Sequence, residues 1–136
     1  MAVPFLTGYS QRRRLVITPA GRIDAPLVNF PVYVRLTATN FDFAQSLANG
    51  HDIRFTAADG VTLLDFERER HDNVASRADY FVRLPSISAT VNTEFFIYFR
   101  PTATADGANP TAVWDANTMT LGITRKSRWH CSADER

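Results

Sequence analysis

The stretch from Asp52 to Glu67 constrains the fold of this chain more than any other. It holds two runs of alternating apolar residues that meet at Asp59-Gly60, a dipeptide that accepts the positive φ angles of a tight hairpin turn. With those two residues in the turn, position i pairs with position 119 − i. A shift by one residue would set apolar side chains opposite charged ones. The stretch therefore predicts a half-buried antiparallel hairpin whose apolar pairs are Phe55 with Leu64 and Ile53 with Phe66.

Length and composition fit one domain with one core, since 45% of the 136 residues are hydrophobic and 12% are aromatic. A formal net charge of +1 creates no overall field that would attract nucleic acid or a membrane surface. No run approaches the roughly 20 apolar residues of a membrane span. Because Cys131 is the single cysteine, the chain cannot form an internal disulfide.

Alternation of apolar and polar side chains recurs along the chain and predicts six short strands. They cover residues 12–18, 30–37, 52–58, 61–70, 78–84 and 93–100. Residues 40–50 are predicted to form one short helix, because Phe43 and Leu47 lie four apart and Gly50 can end the helix. These elements predict an all-β fold, an antiparallel, jelly-roll-like β-sandwich with one short helix. Its predicted core contains Val32, Val34, Ile53, Phe55, Leu64, Phe66, Val82, Phe95 and Ile97.

The two ends of the chain lack this alternation. We therefore divide the chain into an N-terminal arm (1–11), a β-sandwich domain (12–117) and a C-terminal tail (118–136). The tail combines apolar residues with a basic cluster and a tryptophan. Apolar side chains without a periodic partner surface in their own domain indicate contact with a second molecule.

Several side chains could serve catalysis, but each has a simpler interpretation. Glu67 and Glu69 share a face of one strand, where alternating arginines favour a solvated charged edge over the paired carboxylates of a glycosidase. His51, His71 and His130 match no zinc-ligand spacing. We predict no catalytic, cofactor-binding or metal-binding residues, and therefore a protein that is not an enzyme.

Aromatic side chains and arginines raise two binding alternatives. Tyr33, Tyr80, Tyr98, Trp114 and Trp129 could stack on sugar rings, but the three tyrosines lie within predicted strands, where packing is the simpler interpretation. The basic triplet 12–14 would place its middle arginine on the opposite face of a strand from the other two. It therefore forms no compact patch for phosphate.

Several segments together resemble a bacterial and phage domain of unknown function. The segments are Arg13–Thr18, Val28–Leu36, Asp52–Thr56 with Asp59-Gly60 and Leu63-Leu64, Tyr80–Ile87, Phe96–Phe99 and Val113–Asp115. The resemblance covers roughly residues 9 to 117 and is most specific from Asp52 to Leu64. It implies a β-sandwich that often precedes a concanavalin-A-like lectin domain in surface and virion proteins, and it implies a non-catalytic module. Where that domain usually carries Trp or Tyr after the Glu of the second hairpin strand, this chain has Arg68 and Arg70.

The N-terminal sequence bears on the setting that this resemblance implies. Met1 to Leu6 is a very short apolar run followed by polar residues and arginines, which does not fit a signal peptide. We expect a virion protein assembled in the host cytoplasm, a structural component of a phage tail, fibre or capsid exterior. The alternative is a carbohydrate-binding module for host-surface glycan. Expected partners are other virion subunits, including copies of this chain, and, under the alternative, a cell-surface glycan, with no nucleic acid and no membrane. The expected interface residues are Phe5, Tyr9, Leu121, Ile123, Arg125, Arg128 and Trp129.

Overall fold

A computed structural model describes residues 3–19, 23–99 and 105–114, together with the backbone of residues 130–134. The described residues form seven strands, one 3-10 turn and one short α-helix. The strands are β1 (Gln11–Ile17), β2 (Leu27–Thr37), β3 (Arg54–Ala57), β4 (Phe66–Asp72), β5 (Arg77–Ile87), β6 (Thr93–Phe99) and β7 (His130–Asp134). The 3-10 turn spans Phe43–Gln45, and helix α1 spans Pro110–Val113.

The strands form two three-stranded antiparallel sheets. The first sheet has the order β3–β6–β1, and the second has the order β2–β5–β4. Strand β7 lies between them, antiparallel to β1 and parallel to β2. This architecture confirms the predicted all-β sandwich. It also places residues 130–134, which belong to the predicted tail, in a strand that is hydrogen-bonded to both sheets.

The core lies between the two sheets, where alternate side chains of every long strand meet. Phe55 of the first sheet contacts Phe66 and Tyr80 of the second, with ring centroids 5.2 and 5.5 Å apart. All nine predicted core residues are buried in this cluster. Burial of side chains as large as these supplies most of the free energy that favours folding.

The hairpin keeps its predicted register over a short length. Thr56 pairs with Leu63, and the Leu64 amide donates to the Phe55 carbonyl oxygen at 2.9 Å, both as the predicted pairing requires. Positive φ occurs at Gly60 (82°) but not at Asp59, whose carboxylate instead accepts from the amides two and three residues later. The connection is therefore a wider loop than the predicted two-residue turn.

The two hairpin runs then separate. Phe66 pairs with Val82 in the second sheet instead of with Ile53. The chain crosses between sheets at Leu64 and Asp65, whose amide and carbonyl groups bond to the first and second sheets respectively. Because Phe66 still packs on Phe55 across the core, the apolar pattern is satisfied without continued strand pairing.

The predicted helix over residues 40–50 is wrong in extent. Only the 3-10 turn forms there, and Asp42 caps it by accepting from the Ala44 amide at 3.1 Å. Phe41 and Phe43 enter the core, whereas Leu47, which the prediction paired with Phe43, is 38% exposed. Among the described residues, the α-helix is α1, which packs against β4 and β5. None of the helices in the described segments is long and apolar enough to cross a membrane.

Candidate functional site

Each sheet buries aromatic side chains on its outer face, which points away from the core. On the first sheet these are Phe96 and Tyr98, and on the second sheet the side chain is Phe81, which is only 1% exposed. An outward aromatic side chain becomes buried only if something covers it. The covering groups differ between the two sheets, and this difference defines the site.

The first outer face is covered by the N-terminal arm. Arg12 on β1 donates to the carbonyl oxygens of Pro4 at 2.7 Å and Val3 at 3.0 Å. Its guanidinium carbon lies 4.0 Å from the ring centroid of Phe5 and 4.5 Å from that of Phe96. This stack, with a cation between two rings, fastens the arm to the sheet.

The hairpin loop completes this cover. The Tyr98 hydroxyl donates to the Gly60 carbonyl oxygen at 2.7 Å. A Cβ atom on Gly60 would lie 2.2 Å from the Pro4 carbonyl oxygen, so the arm passes directly over the loop. The Tyr9 hydroxyl donates to the Asp52 carbonyl oxygen at 2.9 Å, and this contact fastens the other end of the arm.

These contacts locate two of the expected interface residues. Tyr9 is half-buried against its own domain, and Phe5 packs on Tyr98 and Arg12 while remaining 47% exposed. The other expected interface residues lie outside the described part of the chain: Leu121, Ile123, Arg125, Arg128 and Trp129.

The second outer face carries a cleft of about 550 Å³, a volume within the range of small-molecule sites. Strands β2 and β5 supply its floor, and β4 supplies one wall where its register shifts between Arg68 and Arg70. Such a bulge redirects side chains, and here Glu69 and Arg70 both line the cleft. The lining residues are Tyr33, Arg35, Glu69, Arg70, Arg77, Asp79 and Phe81.

A hydrogen-bonded chain crosses the floor of the cleft. Arg35 Nε donates to the Tyr33 hydroxyl at 3.2 Å, and that hydroxyl donates to Asp79 Oδ1. Arg77 forms an ion pair with Asp79, with Nε 3.3 Å from Oδ2, and its Nη2 donates to Asp79 Oδ1 at 3.4 Å. Hydrogen bonding to Asp79 raises the pKa of Arg77 further. The Tyr33 ring stacks on Phe81 with centroids 5.4 Å apart. These contacts hold the floor of the cleft in one arrangement.

Trp114 and Glu67 lie beside the cleft. Trp114 Nε1 donates to Glu67 Oε1 at 2.6 Å, and the indole packs on Phe81 with centroids 5.3 Å apart. Glu67 is 5% exposed. The predicted solvated edge is therefore wrong for Glu67, since this carboxylate accepts from a tryptophan, while Glu69 remains exposed.

The segment that leads to Trp114 is fixed by two arginines. Arg68 donates to both carboxylate oxygens of Asp106, at 2.8 and 2.6 Å, and these bonds hold the pKa of Asp106 well below its usual range. Arg54 donates to the Ala105 carbonyl oxygen at 2.6 Å. A Cβ atom on Gly107 would lie 2.4 Å from the Arg54 guanidinium carbon, so a larger residue there would require the Arg54 side chain to move.

The histidines serve structural contacts in the described part of the chain. His71 Nδ1 lies 2.8 Å from the Tyr80 hydroxyl, and its Nε2 lies 3.2 Å from Ser46 Oγ. Burial lowers the pKa of His71 and raises that of Tyr80, so this contact joins two neutral groups at pH 7. Residues 3–19, 23–99 and 105–114 contain no cluster of three or more His, Cys, Asp or Glu side chains that could hold a metal ion.

Sequence reasoning placed Tyr33, Tyr80 and Tyr98 in packing roles. Tyr80 and Tyr98 are fully buried, whereas Tyr33 is half-buried and lines the cleft. Sequence reasoning missed the cleft itself. Alternation did put Tyr33 and Arg35 on the face of β2 opposite the core residues, and this was the one feature of the sequence that pointed toward the cleft. The sequence did not show which residues face these two across the sheet, because the partners lie more than 40 positions away. Tyr33 pairs with Phe81, and Arg35 pairs with Asp79.

The fold and the cleft define a β-sandwich domain in which the described residues leave one polar face concave. A family model described as a domain of unknown function, DUF2341, matches residues 49–131, and the chain belongs to that family. This match begins later than the resemblance noted above and extends through much of the predicted tail. Comparison with curated proteins and with solved structures gives no match.

Proposed function

We propose that this protein is a non-enzymatic structural component of a phage virion, in the tail, a fibre or the capsid exterior. In this proposal it is an assembly and adhesion module, and the cleft on the second outer face is its contact surface. The virion setting rests on the resemblance described above, whereas the choice of surface rests on the geometry of the domain.

One observation carries the choice of surface. The first outer face is occupied by the chain's own arm, whereas the second presents arginines and a tyrosine around a concave opening. Tyrosine and arginine are the side chains most enriched at protein interfaces, because they combine apolar area with directional hydrogen bonds. The residues around the cleft therefore suit a contact surface.

The virion assignment can be tested on particles. An antibody raised against this chain should label purified virions from the source of the sequence, at a regular position in electron micrographs. Absence of the chain from purified particles, measured by mass spectrometry, would contradict the assignment.

Two matched arginines test the surface. Arg70 lines the cleft and lies 3.3 Å from Asp72, whereas Arg14 lies on the first sheet, 3.2 Å from Glu94. Their side chains are similarly exposed, at 47% and 36%. Arg70→Glu should reduce incorporation into particles, and Arg14→Glu should not. Equal incorporation of both variants would show that the cleft is not the contact surface.

A second candidate function is a carbohydrate-binding module. It is favoured by the cleft itself, where hydrogen-bonding groups of both kinds surround a tyrosine in a volume suited to a small ligand. Sedimentation together with a glycan array separates the two candidates. Self-association without sugar binding supports the virion subunit, whereas sugar binding by a monomer supports the second candidate.

A further inference from the structure

The segment of residues 43–50 closes over His71, a residue of β4. His71 Nε2 lies 3.2 Å from Ser46 Oγ, and Nδ1 lies 2.8 Å from the Tyr80 hydroxyl. Gly50 lies directly on the second of these contacts, since a Cβ atom on Gly50 would lie 2.7 Å from His71 Cγ and 2.8 Å from the Tyr80 hydroxyl. The segment and Tyr80 together therefore cover both nitrogens of the ring.

The hydrogen bonds around His71 have one consistent direction. Tyr80 is fully buried, and His71 Nδ1 is the partner that the described residues supply for its hydroxyl. A buried hydroxyl donates its hydrogen where it can, so Nδ1 is the acceptor. The ring then carries its own hydrogen on Nε2 and donates it to Ser46 Oγ, which donates to the Phe43 carbonyl oxygen at 3.4 Å. Each donor in this series has an acceptor only while His71 is neutral.

A proton added to His71 conflicts with this arrangement. The lone pair on Nδ1 takes the proton, and the new N–H would point at the hydroxyl hydrogen of Tyr80. Tyr80 would then lose its acceptor inside the protein, where an unsatisfied hydroxyl and an added charge both cost free energy. Both costs are relieved when the segment opens, because water then reaches the ring and the hydroxyl.

The charged groups that face His71 do not reverse this preference. Asp52 and Asp72 favour the protonated ring, whereas Arg68 opposes it. Burial has the largest influence, and it lowers the pKa of His71. Asp52 is also fully buried, and its carboxylate accepts from the Leu47 amide at 3.0 Å, so it fastens the closed segment. The closed segment therefore favours the neutral form of His71.

We propose that His71 is a pH-sensitive switch whose protonation releases the 43–50 segment from β4 while the two sheets stay folded. At neutral pH the uncharged ring holds the segment through Ser46 and through the Tyr80 contact. As the pH falls below about 6.5, the ordinary pKa of histidine, the proton binds the open segment in preference to the closed one. Opening withdraws Phe43, which is 5% exposed in the closed segment, from the core. The switch depends neither on the virion setting nor on the cleft.

Amide hydrogen exchange of the full chain at pH 7.5 and pH 5.5, resolved by NMR, tests this switch. Opening constants are obtained by dividing out the intrinsic exchange rate at each pH. The amides of Leu47, Gly50 and Ile53, which bond within or beside the segment, should open up to about tenfold more often at pH 5.5. That factor is the limit for a histidine protonated only in the open state. At both pH values these amides should open at least about tenfold more often than the amides of β5, because local opening is easier than global unfolding.

The three histidines of the chain provide matched variants. His71→Gln should remove the pH dependence, because glutamine does not titrate. The double variant His51→Gln/His130→Gln keeps His71 as its single histidine and should retain the full response. Long-range proton–nitrogen NMR of the His71 ring adds a readout that needs no variant, since the ring hydrogen should lie on Nε2 at pH 7.5.

Four results would each overturn the proposal. They are opening constants of the segment that do not change with pH, a response that persists in folded His71→Gln, segment amides that share the opening constant of β5, and a ring hydrogen on Nδ1 at pH 7.5. If His71→Gln does not fold, the double variant decides. Loss of its response would assign the pH dependence to another histidine, whereas a full response supports the assignment to His71.

Discussion

The two outer faces of the sandwich solve the same packing problem in different ways. Both bury outward aromatic side chains. Among the described residues, an arm of the same chain covers the first face, whereas Trp114 and charged side chains cover only part of the second. A face covered by its own chain has no room for a partner unless the arm leaves. The comparison therefore makes the arm part of the folded domain and supports the second face as the proposed contact surface.

The largest expected effect comes from removing a tyrosine on each face. Tyr98→Ala should cost about 3–5 kcal/mol in the free energy of unfolding, because it empties a fully buried site and removes the bond to the Gly60 carbonyl. Tyr33→Ala should cost less than about 2 kcal/mol, since Tyr33 is only half-buried. Urea denaturation of both variants measures the difference. Equal losses would mean that the two faces are closed to the same degree.

A pair of glycines tests how closely the arm contacts the loop. Gly60 and Gly8 both have positive φ, at 82° and 90°, so an alanine at either position costs about 1–2 kcal/mol in backbone strain. Only at Gly60 does the new Cβ atom also collide with the arm, since nothing lies within 4 Å of the Cβ position at Gly8. Gly60→Ala should therefore destabilise more than Gly8→Ala, as measured by thermal unfolding.

The same comparison can be made after deleting residues 1–7. The extra cost of Gly60→Ala should then disappear, because the Pro4 carbonyl is gone. An extra cost that persists without the arm would show that it arises within the loop.

The pH dependence of stability separates the fold from the cleft. Because burial lowers the pKa of His71, the folded state favours its neutral form. The unfolded chain binds this proton near pH 6.5, so stability should fall as the pH drops below about 6.5. The cleft arginines stay charged throughout this range. Thermal melts from pH 8 to pH 5 should show a decline that is reduced in His71→Gln and retained in His51→Gln, and an unchanged decline in His71→Gln would contradict the assignment.

The smallest effect is expected at Arg14. Its contact with Glu94 is a surface ion pair, so Arg14→Ala should change the free energy of unfolding by less than about 0.5 kcal/mol. Arg12→Ala, two residues away on the same face, should cost about 1–3 kcal/mol, because it removes the bonds and the stacking that hold the arm. Chemical denaturation of both variants provides the comparison, and a similar loss for each would mean that the arm is not held by Arg12.

The predictions from sequence succeeded where a short window decides the outcome. Alternation located six of the seven described strands, though not β7, and all nine predicted core residues are buried, while the hairpin register held near the turn. Residues 40–50 failed as a helix because Phe41 and Phe43 are both drawn into the core, a spacing that one helical face cannot provide. The local pattern was overridden by tertiary packing.

Long-range pairing accounts for what the sequence could not show. The crossing of β4 into the second sheet depends on β5, and the position of β7 depends on the distant strands β1 and β2. The cleft likewise requires three strands in a particular order before Arg35, Glu69 and Asp79 share one face. None of these neighbours is implied by alternation within one strand.

Hydroxyl-radical footprinting read by mass spectrometry tests the central claim most directly, since it reports the exposure of individual aromatic side chains. In the free protein, Tyr33 and the exposed part of Phe5 should react, whereas Tyr98 should not. In assembled particles, Tyr33 should become protected while Phe5 keeps its reactivity. Protection of Phe5 with Tyr33 unchanged would contradict the account, because it would make the arm side the contact surface.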